Sequence, residues 1–118
     1  MILRKCLKAL RLNEQIRMLT MWIFKDIDTK LKAIGFSKVH QSRTICTYQR
    51  YNQLYKYTQC VDIAYKNNLK TFIILSYDKD LFDEHKIGNT CVGLTEYELK
   101  LFQKKMQYMS AEYRKGLP

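Results

Sequence analysis

The run VDIAYKNNLKTFIIL, residues 61–75, holds two β-rich segments joined at Asn67-Asn68. Val, Ile, Tyr, Thr and Phe fit a pleated, half-buried surface, and Asn tolerates the positive φ of a tight hairpin. The pattern predicts strands over Gln59–Lys66 and Lys70–Tyr77. A two-residue turn would set Lys66 opposite Leu69. Alternation then places Val61, Ile63 and Tyr65 on one face with Phe72 and Ile74, the face expected to lie on helices. The other face carries Cys60, Asp62, Ala64, Lys66, Thr71, Ile73, Leu75 and Tyr77. Ile73, Leu75 and Tyr77 are too apolar for full solvation. Either another element covers part of that face, or Tyr48, Ile73, Leu75 and Tyr77 form a contact surface for a partner or a homodimer.

Upstream, Thr44–Tyr51 reads as a third strand, joined to the second by the loop Asn52–Thr58. Before it, Ile2–Ile34 contains neither Pro nor Gly. Ile16, Leu19, Ile23, Ile27, Leu31 and Ile34 recur at helical spacing, widened by Met18 and Trp22, with Asp26, Lys30 and Lys32 off the stripe. Gly35 supplies a left-handed helix end and Phe36 its capping contact. Downstream, Thr95 and Glu98 read as a capping box, with Leu94 and Leu99 as a hydrophobic staple. Leu99, Phe102, Met106, Met109 and Tyr113 continue as a core stripe, while Lys100, Lys104, Lys105, Arg114 and Lys115 fall on other faces. The expected fold class is α+β: a two-layer α-β-β-β-α domain with a three-stranded antiparallel meander. Residues 1–118 are expected to form one domain, with 18–115 as its core and 1–17 expected as a basic helical extension; Met18 and Met21 are alternative starts in principle.

The net charge of +10 is the largest departure from an average composition. It is +5 over residues 38–70 and −4 over 71–98. Such a basic excess favours polyanionic partners or acidic protein surfaces. Arg43, Arg50, Lys56, Lys66 and Lys70 are the candidate contacts to nucleic acid or an acidic partner, interleaved with Tyr48, Tyr51, Tyr55 and Tyr57. Tyr is also a favoured strand residue, and Lys and Arg commonly decorate strand edges, so an ordinary solvated sheet accounts for the same pattern.

Cys6, Cys46, Cys60 and Cys91 show no zinc-ligand spacing, and His40 and His85 add none. Cys46 and Cys60 fall on neighbouring strands and could face each other, although reduced thiols are the default expectation in the cytoplasm. No secretory signal or membrane span is read, and a cytoplasmic location is expected. Asp78, Asp80, Asp83 and Glu84 lack the glycine and distant Glu of an EF-hand and read as an acidic strand-to-helix turn. Asp62 with Glu98-Leu99-Lys100 resembles the D…E-x-K set of metal-dependent nucleases, but here E-L-K opens a helix. With no nucleophile motif or phosphate loop, the chain is expected to be a non-enzyme without metal or cofactor.

Helix, three antiparallel strands, helix is also the order of the double-stranded RNA-binding domain, which the chain resembles in topology and basic charge. That family's Gly-Pro-x-His-like loop is replaced by Asn52–Thr58, and the Lys-Lys-x-Ala-Lys start of its last helix by Thr95-Glu96-Tyr97-Glu98. An acidic first turn opposes phosphate. From Met18 to Tyr113 the chain is also similar to short uncharacterised phage and prophage proteins of low-GC Gram-positive bacteria. The residues concerned are the apolar run Thr71–Tyr77, Leu94-Thr95-Glu96-Tyr97-Glu98-Leu99 and Lys104-Lys105. This resemblance implies a single-domain accessory protein that binds host or phage components, the pool from which anti-CRISPR and other host-defence inhibitors come. The expected function is an inhibitor or adaptor on a protein or nucleoprotein; the alternatives are a nonspecific nucleic-acid binder and, remotely, a nuclease.

Overall fold

Gly35 turns the backbone to φ +98° and stops the first helix. The computed structural model describes residues 26–83 and 90–116, and residues 26–33 are the described part of this helix, α1. The Gly35 amide donates to the Lys32 carbonyl and the Phe36 amide to the Leu31 carbonyl, both at 3.0 Å. These are the paired bonds of a Schellman cap, and they satisfy carbonyls that the helix end would otherwise leave open. Ile27 and Leu31 are buried and Ile34 packs beside them, whereas Asp26, Lys30 and Lys32 face solvent. Ile16, Met18, Leu19, Trp22 and Ile23 lie outside the described residues, as does the basic stretch 1–17.

The sheet has four strands rather than the three expected. β1 (Ser37–Gln41), β2 (Ile45–Asn52), β3 (Tyr57–Lys66) and β4 (Thr71–Asp78) form an antiparallel meander in the order β1-β2-β3-β4. The added strand, SKVHQ, is exposed throughout and bulged between Lys38 and His40. It carries no alternating apolar signal and exists because β2 offers it a ladder.

The β3–β4 turn also differs from expectation. It takes four residues, 67–70, and Lys66 opposes Thr71 instead of Leu69. The positive φ falls on Lys70, at 53°, and on neither Asn. A shift of two residues preserves side-chain parity, so both faces survive the error. Ile63 opposes Ile74 and Tyr65 opposes Phe72, on the face that meets the helices.

Asp78 Oδ1 accepts from the amides of Asp80 (2.9 Å) and Leu81 (3.2 Å), opening a short helix, α2 (Lys79–Asp83). Asp78, Asp80 and Asp83 therefore belong to a strand-to-helix turn, as read, and Glu84 lies outside the described residues. The long closing helix, α3 (Glu96–Lys115), begins at the expected capping box. Thr95 Oγ1 accepts from the Glu98 amide at 3.1 Å, and Glu98 Oε1 from the Thr95 amide at 2.8 Å. The buried stripe of α3 is rotated from the expected one. Leu101, Phe102, Lys105 and Met109 are buried and Leu99 is exposed. The core joins α1, the inner sheet face and α3, with Phe102 edge-on to Phe36 and Tyr48. The molecule is an α+β fold.

Candidate binding surface

An antiparallel meander brings alternate turns to the same end of its sheet, and here that gathers cations. The Tyr65 amide donates to the Thr44 carbonyl at 2.8 Å, laying the β1–β2 turn against the end of β3. From that turn Arg43 donates to the Tyr113 carbonyl at 2.9 Å, its guanidinium 4.9 Å from the centre of the Tyr113 ring. Tyr113 stacks on Tyr65 at 4.3 Å, and Phe72 meets both rings edge-on. Lys70 and Arg114 line one small groove beside these tyrosines. Arg43, Lys66 and Lys70 thus share one end of the molecule with Arg114 and Lys115, the latter paired to Glu112 at 3.0 Å. The two α3 cations read in sequence only as helix surface. Their place in the last turn, beside a sheet whose β3–β4 turn is basic, is the signal that could have found them.

The other two predicted cations do not join this cluster. Lys56 sits in the β2–β3 turn, at the opposite end of the sheet. Arg50 lies on the inner face and is internally engaged. It bonds Glu98 at 2.6 Å, the Ile34 carbonyl at 3.2 Å and Gln59 at 3.0 Å, and covers the Phe36 ring at 4.1 Å. Its charge serves the joint between α1, the sheet and the start of α3. Burial alone would raise the Glu98 carboxyl; the Thr95 amide and Arg50 outweigh it and hold that group below its ordinary value.

Tyr48 is likewise corrected. It is buried on the inner face, across the sheet from Ile73, Leu75 and Tyr77. Its hydroxyl donates to Asp28 at 2.6 Å, and the same carboxylate receives Lys38 at 3.0 Å and Lys105 at 3.2 Å. Burial would raise Asp28, but the bonds from Tyr48 and Lys38 and the charge of Lys105 keep it below 3.8. Desolvation pushes Lys105, fully buried, down to about 8 against the pull of Asp28. Burial and the bond to Asp28 raise the Tyr48 phenol. The network ties α1, β1, β2 and α3 together.

On the outer face Asp62 accepts from Thr47 at 2.8 Å and from Tyr77 at 2.9 Å. The Tyr77 ring lies 5.1 Å from Phe82, so α2 covers this end of the face. Ile73 remains half-buried and Leu75 exposed. Asp62 and Glu98 fall on opposite sides of the sheet, and Lys100 pairs with Glu96, so the nuclease-like set does not converge. Cys46 opposes Ile63 on the inner face and Cys60 opposes Gln49 on the outer, so these thiols point apart. Among the described residues no group of three or more His, Cys, Asp and Glu could hold a metal ion. None of the described helices is long and apolar enough to cross a membrane. Comparison with protein-family models, curated proteins and solved structures finds no match.

Proposed function

We propose that this chain is a small non-enzymatic binding protein, an inhibitor or adaptor that docks its basic end on an acidic surface of a protein or nucleoprotein. The observation that carries the reading is the convergence of Arg43, Lys66, Lys70 and Arg114 from three separate segments. Asp78 and Asp80 lie at the far end of β4 from these cations, more than a Debye length along the strand, and do not offset them at short range. A protein partner is favoured over unpaired bases because the flat rings at this end are already occupied: Tyr113 stacks on Tyr65 beneath Arg43. The resemblance to phage accessory proteins makes a cytoplasmic host component, of the anti-CRISPR target class, the first partner to try.

The test is anisotropy titration of labelled polyglutamate and of labelled single- and double-stranded DNA and RNA, from low to physiological salt. Polyglutamate is expected to bind the native protein, to lose affinity when Lys66, Lys70 and Arg114 become Glu, and to keep it in Lys56→Glu. Nucleic acid is expected to dissociate with a steep salt slope and no preference. A nucleic-acid preference that survives physiological salt would replace the protein-partner reading with the nucleic-acid one.

A further inference from the structure

We infer that the groove between α3 and the edge of β4 takes an extended peptide with an acidic C-terminal end, added to the sheet as a fifth strand. This rests on the basic end being a docking surface for acidic protein. β4 is an edge strand, and the chain already pairs a segment onto its far half. The Asp78 amide donates to the Thr90 carbonyl at 2.8 Å and the Val92 amide to the Ser76 carbonyl at 3.0 Å, with Cys91 antiparallel to Tyr77. Among the described residues this pairing stops at Ser76. In an antiparallel ladder every second residue turns its N–H and C=O to the same side. Phe72 and Ile74 therefore present theirs in line with Ser76 and Asp78, toward a position where no described strand lies.

A groove of about 290 Å³ lies beside the start of that stretch, lined by Thr71 and Phe72 of β4 and by α3 residues including Met106, Ala111 and Arg114. A strand added in the direction of residues 90–92 runs toward the β3–β4 turn, so its C-terminal end reaches Lys66, Lys70 and Arg114. Alternate apolar side chains enter the groove, backbone bonds to Phe72 and Ile74 hold the segment, and its terminal carboxylates meet the cations.

The experiment uses a labelled peptide of alternating Val and Ser ending in glutamates, and a control of equal charge with Pro at alternate positions, which cannot donate to the ladder. Anisotropy is followed alongside amide shifts and hydrogen exchange of the full chain. The Val-Ser peptide is expected to bind at least about tenfold tighter than its Pro control, a difference of about 1.4 kcal/mol. Protection of the Phe72 and Ile74 amides is expected with it. Ala111→Trp, at an exposed helix position, is expected to abolish that preference while leaving polyglutamate binding unchanged. Equal binding of the two peptides, or shifts at β1 instead of β4, overturns the strand addition and leaves the basic-end reading standing. Loss of every acidic ligand, polyglutamate included, overturns both.

Discussion

The sheet ends in β1 on one side and β4 on the other, and the two edge strands meet solvent differently. β1 is five residues long, bulged between Lys38 and His40. Shortness, a bulge and a lysine are the devices by which natural sheets discourage another strand from pairing. β4 is eight residues long, pairs with β3 without a bulge, and runs Phe72-Ile73-Ile74-Leu75 through its middle. Its cover is local: residues 90–92 lie along one half and a groove along the other. The attachments differ as well. β1 is tied inward by an ion network through Lys38 and Asp28, and β4 by the rings of Tyr65, Phe72 and Tyr113. The guarded edge is thus secured by charge inside the fold, and the unguarded one leaves its charge outside, where a partner can meet it.

The largest way to break this contrast is Asp28→Ala. It removes a shared acceptor of Tyr48, Lys38 and Lys105 and takes from the buried Lys105 ammonium its carboxylate in α1. A loss of about 3–5 kcal/mol is expected in urea unfolding, with amide exchange rising in β1 before β4.

pH probes the same side. Below about 8, Lys105 is protonated in both states, and the fold carries its full desolvation cost. Between about 8 and the ordinary value of 10.5 the unfolded chain holds more protons, so unfolding free energy from this group rises with pH. Subtracting the profile of Lys105→Met from that of the native protein should leave that rise. Asp28 and Glu98 give a slope of the same sign, at acid pH. Their folded values are depressed, so their stabilisation is present above 3.8 and 4.5 and is lost as pH falls through the folded values.

Gly35→Ala is a smaller break at the entrance to β1. A Cβ there must hold φ +98° and stands 3.1 Å from Arg50 Cδ. A cost of about 1–2 kcal/mol is expected in the same assay. On the β4 side, Leu75→Lys should change stability by no more than about 0.5 kcal/mol. If two copies of the chain meet through the outer face, sedimentation velocity should show the substitution dispersing them; unchanged association would exclude that face as a dimer contact.

Much of the fold was legible. The capping box at Thr95 and Glu98, the left-handed Gly35 and the division of β3 and β4 into two faces are local chemistry, set by residues a few positions apart. β1 was not legible, because an exposed edge strand needs no apolar alternation. The candidate site was legible in part. Arg43, Lys66 and Lys70 are candidates from charge that the meander sets at one end, whereas Arg50 and Tyr48 face inward, and their types alone do not say which face of β2 they occupy. Lys105 was misread because its burial depends on an acceptor distant in sequence.

By itself the sequence determined β2, β3, β4 and α3, the caps at Gly35 and Thr95 and the basic balance, since these follow from backbone preference and composition. Tertiary packing decided which cations face solvent. A charge is buried only where another segment brings its counter-ion, as Glu98 does for Arg50 and Asp28 for Lys105. Arg43, Lys66, Lys70 and Arg114 gather where the two turns and the end of α3 meet. That meeting is a property of the chain's path, and of no single stretch within it.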